Sequence, residues 1–247
     1  MQKDFLTITP DSGGGNGSLS VVAAANTGVA RTSSITVSGS GVTKTFPVLQ
    51  DGGGYNPSDA PNGIYIAHTD GKLYLPDNWN TAENNNAVGV ALKSSNCSFI
   101  IAPERLDKII WGGHGLTIPG CVNIVGSSTA TDFEGKQNTD ALVSYIGTSK
   151  TYAALYCYNY TFKNGAKGYL PAKSEIYEAY LNKTAVDDCM ALIGGVPMTD
   201  TESSLFRIWT STQNGANNAW AQDWKYGNRS GSSKNNEYCA RAFTPLI

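Results

Sequence analysis

Apolar residues recur at every second position through the first fifty residues: Leu6 and Ile8, Leu19 and Val21, Ile35 and Val37, then Val42, Phe46 and Val48. The stretches DSGGGNGS, NTG and GSG stand between these runs, so the pattern predicts four short strands joined by tight turns. From Gln50 to Gly63 the chain reads QDGGGYNPSDAPNG and carries no period; beyond it the texture changes. GIYIAHTDGKLYLP predicts a hairpin around Asp70–Gly71, a dipeptide that tolerates positive φ. Three helical patterns follow. NTDALVSYIG predicts a helix capped at Asn138 or Thr139, with Leu142, Tyr145 and Ile146 facing inward and Gly147 as the stop. LPAKSEIYEAYL predicts a helix after Pro171, with Ala172, Ile176 and Tyr180 at four-residue spacing. TAVDDCMALIGG places Thr184 three residues before Asp187, close to a capping box, with Val186, Met190 and Ile193 inward and Gly194–Gly195 as the end. After Leu205 the period returns to two, and FRIWTST, NAWAQDW and EYCARAF predict three strands with two polar connections.

This layout predicts an all-β module over residues 1–52, a linker over 53–62 and an α+β unit over 63–247. Fifty residues bury little surface, so the module is expected to lean on its neighbour or on another copy. Composition adds exclusions. The chain has 247 residues, 40% apolar and 15% charged, a globular balance. A net charge of -2 supplies no field to hold a phosphate backbone, so nucleic acid is not expected as a partner. Lys225, Arg229, Lys234 and Arg241 are a local basic feature, partly offset by Asp223 and Glu237. No apolar run approaches the roughly 18 residues of a membrane span, so no membrane insertion is expected. Met1 to Asp4 lead into no signal-peptide hydrophobic region, and the expectation is a chain made in the cytoplasm.

Cys97, Cys121, Cys157, Cys189 and Cys239 are odd in number and lack a CxxC pair, which predicts small buried side chains rather than a disulfide framework or a zinc site. His68 and His114 have no second histidine at ligand spacing and are expected as exposed or hydrogen-bonded loop residues. Neither a metal nor a cofactor is expected.

The stretch FLTITPDSGGGNGSLSVVAAANTGVARTSSITVSGSGVTKTFPVLQDG, Phe5 to Gly52, resembles the second half of a BACON domain. That family is an immunoglobulin-like β-sandwich found on surface and phage proteins of gut bacteria. The strands that usually precede such residues do not stand before them here. The resemblance implies a structural spacer ahead of a sugar binder.

DFEGKQNTDALVSY, GYLPAKSEIYEAY, IGG, WTSTQNGANNAWAQDW and the closing ARAF, in that order, resemble the C-type lectin fold of bacterial and phage proteins. Among these are the target proteins of diversity-generating retroelements. The resemblance runs from about Gly63 to Phe243 and departs at Ala172, where the family usually carries a helix-capping Ser. It implies a variable region over about 209–243. There, codons of the form AAC or AAT scatter over many residue types but never reach Lys, Glu, Gln, Trp or Met. Trp220, Gln222, Trp224, Lys225, Lys234 and Glu237 are therefore implied to be fixed. Asn214, Asn217, Asp223, Tyr226, Arg229, Ser230, Gly231, Ser232, Ser233, Asn235, Asn236 and Tyr238 are reachable. The six Asn between Gln213 and Tyr238 suit an AAC-rich template. Alternating tryptophans, Trp209 among them, would hold the sheet while the residues between them point outward. Tyr, Arg, Ser, Gly and Asn are also the residues that paratopes favour.

The expectation that follows is a receptor-binding protein at a phage tail-fibre tip, carried in the virion. It would meet a glycan or protein receptor on a bacterial surface, beside other fibre subunits and in a homotrimer. The runner-up is a diversified adhesin or pilus-tip protein on the bacterial surface. Formylglycine-generating enzymes share the fold and end in a segment comparable to EYCARAF, which would make Cys239 a nucleophile. Cys239 has no partner nearby in sequence, and the Gly-Gly-Ser-Trp-like segment of those enzymes is absent. No Glu-Pro-Asn or Gln-Pro-Asp triplet is present for calcium-dependent sugar binding.

Overall fold

The computed structural model describes residues 2–26, 28, 30–199 and 206–246. Its N-terminal part holds five strands, one more than the alternation predicts: β1 (Gln2–Lys3), β2 (Leu6–Thr9), β3 (Ser20–Ala23), β4 (Arg31–Gly39) and β5 (Val42–Gln50). The first three form one antiparallel sheet and the last two a hairpin, in register from Arg31↔Gln50 to Gly39↔Val42. The turn of that hairpin is made by Ser40 and Gly41, both at positive φ. Arg31 ties the sheets together: its guanidinium lies 4.3 Å from the centre of the Phe5 ring and donates to the Ala24 carbonyl at 2.7 Å. Leu6, Ile8 and Ile35 form the buried centre. Val21, Val37, Val42 and Phe46, which the alternation marks as inward, are exposed instead. A three-stranded and a two-stranded sheet overlap only around Leu6, Ile8 and Ile35, so the same faces run on uncovered. Thr27 and Val29 of the NTGVARTSS run lie outside the described residues.

The glycines that follow have a packing reason. A Cβ at Gly52 or Gly54 would stand 2.6 or 2.7 Å from the Tyr74 side chain, so only glycine lets the backbone pass that ring. The segment predicted as a linker is also tied down, since Tyr55 and Leu73 exchange both backbone hydrogen bonds, at 2.8 and 2.9 Å.

The remainder is mixed and mostly β. Five strands precede its helices: β6 (Gly63–His68), β7 (Leu73–Tyr74), β8 (Ala87–Lys93), β9 (Ser98–Ile101) and β10 (Leu106–Ile110). The last three were not legible as alternation. AVGVALK in β8 is buried at all but its last position, so its apolar run is continuous. Gly89 in its middle is required because a Cβ there would meet the Ile101 carbonyl oxygen at 2.2 Å. The helices are α1 (Gly135–Ile146), α2 (Ala153–Asn159), α3 (Lys173–Leu181) and α4 (Lys183–Leu192). The chain closes with β11 (Arg207–Asn214), β12 (Asn218–Asp223), β13 (Arg229–Ser233), β14 (Glu237–Ala240) and β15 (Phe243–Pro245).

These strands form two five-stranded sheets, in the orders β15-β9-β8-β6-β7 and β10-β14-β11-β12-β13. EYCARAF, predicted as one strand, changes sheets midway. Cys239 pairs with Ile208 in the second sheet, while Phe243 pairs with Ile101 in the first. At the crossing Arg241 is fully buried and donates to the Ala102 carbonyl at 3.1 Å. The polar stretch after Trp224 also contains a strand, β13, where a connection is predicted.

The helices depart from expectation at their starts. Helix α1 begins at Gly135, three residues before Asn138. Asn138 and Thr139 are buried one turn inside rather than capping. The Asn138 amide donates to Asp132 Oδ2 at 2.9 Å and its Oδ1 accepts from Val122 N–H at 2.8 Å. Thr139 Oγ1 accepts from Leu170 N–H at 3.0 Å. Tyr145, predicted inward, is exposed. Thr184 and Asp187 form no capping pair, because Asp187 instead accepts from Met198 N–H at 2.6 Å and so fastens the segment after α4. Helix α2, AALYCYN, was not predicted.

Ala172 stands at the N-cap of α3 and cannot cap with its side chain, so the Glu175 carboxylate takes over and accepts the Ala172 N–H at 2.7 Å. The other Glu175 oxygen accepts from the Tyr169 hydroxyl at 3.1 Å. Burial drives the Glu175 carboxyl from its ordinary 4.5 up to about 8, against the pull of these two hydrogen bonds. A carboxyl raised on folding gives stability that is complete below about 4.5 and lost as pH rises through about 8. The melting temperature should therefore fall across that window, and in Glu175→Gln, which keeps the acceptor for Ala172 N–H, the slope should flatten. Thermal unfolding followed by circular dichroism at a series of pH values checks this.

Candidate binding surface

Four tryptophans fix the second sheet and the loop beside it. Trp209, opposite Ala221, donates from Nε1 to the Ile109 carbonyl at 2.9 Å. Trp220 donates to the Ile124 carbonyl at 2.8 Å, and Trp111 to the Thr210 carbonyl at 2.7 Å. Trp224 is wholly buried beneath Tyr180, which meets it edge-on at 5.6 Å, and its Nε1 has no hydrogen-bond partner among the described residues.

Two lysines complete the frame, and sequence reasoning missed the role of both. Lys234 is buried with its ammonium 4.5 Å from the centre of the Trp111 ring, donating to the Leu116 carbonyl at 2.7 Å and to Gln213 Oε1 at 3.3 Å. Lys173 is likewise buried, 4.0 Å from the centre of the Trp220 ring, donating to the carbonyls of Ser127 at 2.6 Å and Ala130 at 3.1 Å. Burial lowers the pKa of each to about 8. Gln213 adds a further clasp: its Oε1 accepts from Ile118 N–H at 2.8 Å, and its Nε2 donates to the carbonyls of Ile118 and Cys121 at 3.0 and 3.2 Å. Together these contacts hold the irregular segment 112–130 along the sheet. A lysine inside NRSGSSKNNEY reads as surface charge; only the carbonyls gathered around Lys234 make it a core residue.

The candidate binding residues surround this frame and divide into groups. β13 is the outer strand of its sheet, in register from Asn218↔Ser233 to Gln222↔Arg229. Arg229, Gly231 and Ser233 alternate with Ser230 and Ser232, so they lie on opposite faces of that strand. Asn214 reaches over Gly231, where a Cβ would meet its Nδ2 at 2.0 Å, and its Oδ1 accepts from Gly126 N–H at 3.1 Å. Asn217, Asn235 and Asn236 are exposed in the turns at one end of the sheet, while Tyr226 is 64% exposed in the turn between β12 and β13.

Two candidates are not outward. Asp223 is buried because Oδ1 accepts from the N–H groups of Lys225 and Tyr226, at 3.0 and 2.7 Å, and so shapes the turn. Ser232 is buried under Tyr238, whose hydroxyl lies 3.4 Å from Ser232 Oγ. Tyr238 is half-buried with its ring 4.7 Å from Trp209, and its hydroxyl accepts from Arg207 Nη1 at 2.9 Å and Asn236 Nδ2 at 3.1 Å. Burial pushes the Tyr238 pKa up, but the hydrogen bonds of Ser232, Arg207 and Asn236 outweigh it and leave the phenol below its ordinary value.

The remaining candidates for chemistry are placed as follows. The Cys239 thiol is buried, lies 3.3 Å from Asp107 Oδ1 and is pushed up to about 12 by burial, so it is not an activated nucleophile. His68 ends strand β6 rather than lying in a loop, and it sits between Asp70, 3.0 Å away, and the edges of Tyr74 and Trp79. His114 is exposed in its loop. Cys121, Cys157, Cys189 and Cys239 are buried and Cys97 is half-buried, with no disulfide among the described residues. No group of three or more His, Cys, Asp or Glu side chains among the described residues could hold a metal ion, and no helix among them is long and apolar enough to cross a membrane.

With this geometry in place, comparison with known proteins gives two similarities. Residues 2–51 match the BACON family model, described as "Putative binding domain, N-terminal". A solved fimbrial protein from Bacteroides ovatus ATCC 8483 aligns with a TM-score of 0.49 at 13% identity, over 82% of this chain and 55% of that one. The chain thus spans little more than half of that neighbour. No curated protein matches the chain.

The frame and the surface should respond differently to truncation. Lys234→Ala leaves the Leu116 carbonyl without its lysine donor, removes the ammonium from the Trp111 face and should cost about 3 kcal/mol, whereas Asn235→Ala should stay within about 0.5 kcal/mol. Midpoints of urea unfolding measured at constant slope distinguish the two.

Proposed function

We propose that residues 63–247 form a C-type lectin-like domain whose outer strand and neighbouring turns carry a diversified receptor-binding surface. In this reading it stands at a phage tail-fibre tip, with residues 1–52 as a BACON-like spacer. The observation that carries the reading is how burial follows the codon partition. Trp220, Gln222, Trp224 and Lys234, which AAC and AAT codons cannot reach by change in their first two bases, are buried. Asn217, Tyr226, Gly231, Asn235 and Asn236, which they can reach, are exposed; Asn214, Arg229, Ser230, Ser233 and Tyr238 are partly so. Lys225 and Glu237, exposed but unreachable, and Asp223 and Ser232, buried but reachable, depart from the rule. Side chains that hold the fold are thus mostly those that such a process leaves alone, and the others can change while the sheet persists.

The surface acts by binding. Its partner is a bacterial surface receptor, glycan or protein, and repetition of the site among fibre subunits, as in a homotrimer, would multiply weak contacts through effective concentration. No cofactor and no catalytic step enter this reading, and the buried Cys239 thiol speaks against an oxidase relative. A diversified adhesin or pilus-tip protein is the second reading. The N-terminal similarity to a family described as a binding domain fits either carrier.

Two measurements test the proposal. The DNA beside the gene should contain a near-copy of the segment encoding Trp209 to Phe243, differing where the copy has adenine, next to a reverse-transcriptase gene. The combined substitution Tyr226→Ala, Arg229→Ala and Asn235→Ala should abolish adsorption to a bacterial strain that the parent protein binds, with the melting temperature unchanged. A large drop in melting temperature would reassign these residues to the frame.

A further inference from the structure

The two five-stranded sheets end at β15, β7, β10 and β13, and the first three of these edges are closed. Along β15, Phe243 exchanges both backbone hydrogen bonds with Tyr169, at 2.8 and 2.9 Å, and along β7 Leu73 does the same with Tyr55. β10 is bent by a bulge between Leu106 and Ile109 and carries Lys108 at a φ of 56°. Bulges and lysines of this kind keep an edge from templating a further strand. β13, RSGSS, has neither: its register with β12 runs unbroken from Asn218↔Ser233 to Gln222↔Arg229, and it contains no lysine or proline.

Two bonds that flank β13 decide which of its backbone groups face outward. Asp223 N–H donates to the Asn228 carbonyl at 2.8 Å, and Lys234 N–H donates to the Asn217 carbonyl at 2.9 Å. Both pairs continue the β12–β13 register, so the alternate pairs between them, Ala221↔Ser230 and Ala219↔Ser232, are the hydrogen-bonded ones. The N–H and C=O groups of Arg229, Gly231 and Ser233 therefore point to the open edge, with Gly231 exposed at its centre. The Ser233 carbonyl accepts from Asn236 N–H at 2.9 Å; the others have no hydrogen-bond partner among the described residues.

These groups recur about 7 Å apart, the spacing at which an extended polypeptide presents its own. A saccharide has no such row of alternating donors and acceptors. The row also survives exchange of side chains, since every residue but proline keeps its N–H and C=O. Exposed candidate positions stand beyond both ends of the edge, Tyr226 at one and Asn235 and Asn236 at the other.

We propose that the receptor is a protein and that an extended segment of it adds a strand to the outer edge of β13, bonding to the backbone of Arg229, Gly231 and Ser233. The inference rests on the receptor-binding reading and names the partner class for it. Affinity then comes from main-chain bonds that variation leaves in place, and specificity from the side chains that it changes.

Proline at an outward position removes an edge donor without breaking the sheet, and alanine at the same position keeps that donor. Gly231→Pro and Ser233→Pro should melt within about 4 °C of Gly231→Ala and Ser233→Ala. Each should bind cells of a strain that the parent protein adsorbs to about tenfold less than its alanine counterpart, the scale of one lost hydrogen bond. Ser232→Pro, which loses a bond to β12, should melt roughly 6 °C lower or more. In amide hydrogen exchange followed by NMR, Gly231 and Ser233 should exchange far faster than Ser230 and Ser232. Proteinase K treatment of the cells should abolish adsorption, and periodate should leave it. Slow exchange at Gly231 and Ser233, or proline variants that bind as their alanine counterparts do, would overturn the added strand. Adsorption lost to periodate but kept after proteinase K would mean a glycan receptor, and a parent dimer split by Gly231→Pro would mean that a second copy takes the edge; either sinks the inference. If the proline and alanine variants bind alike while the triple alanine variant still loses adsorption, the receptor-binding reading stands without it.

Discussion

The contact on which the second sheet depends is a buried lysine held against a tryptophan face and ringed by carbonyl oxygens. Lys234 with Trp111, and Lys173 with Trp220, each take an ammonium out of water and return its hydrogen bonds through the backbone of an irregular segment. A desolvated charge of this kind is stable only while every donor is occupied, so the loop cannot leave the sheet without stranding it. Segment 112–130 thereby becomes part of a rigid platform. The exposed turns at either end of the sheet inherit that rigidity, as the proposed binding surface requires.

That arrangement explains which features were legible in the sequence. Period-two runs marked β2, β4 and β6, which reach a core, and also β5, which buries no residue, and β11 and β12, which are buried at nearly every position; the spacing of Ile176, Val186 and Met190 marked α3 and α4, each with one face in a core. Continuous apolar runs gave no such pattern. β8 is apolar throughout, and the short α2 offers Ala153, Ala154, Leu155 and Cys157 to the core within a single turn and a half. Caps were misplaced where polar residues serve distant partners. Asn138 and Asp187 resemble local caps, yet they bond Val122 and Met198.

The candidate surface was legible in its frame and less so in its periphery. Trp209, Trp220 and Trp224 are buried as an alternating strand implies. Asp223 and Ser232 were misread because turn geometry and the overlying Tyr238 ring are long-range facts that composition does not encode. Tyr177 and Tyr180 lay in a stretch read only as helix, and nothing in their spacing tells which rings the turn at Gly227 will approach.

The exchange of sheets at Arg241 has a consequence for biosynthesis. The strand that borders the first sheet, β15, leaves the ribosome some 140 residues after β9, with which it pairs. Neither sheet can be finished until the segment from β14 to β15 has been made. A product cut short or frameshifted within the polar stretch therefore leaves β9 with a raw edge, open to proteolysis and to mispairing.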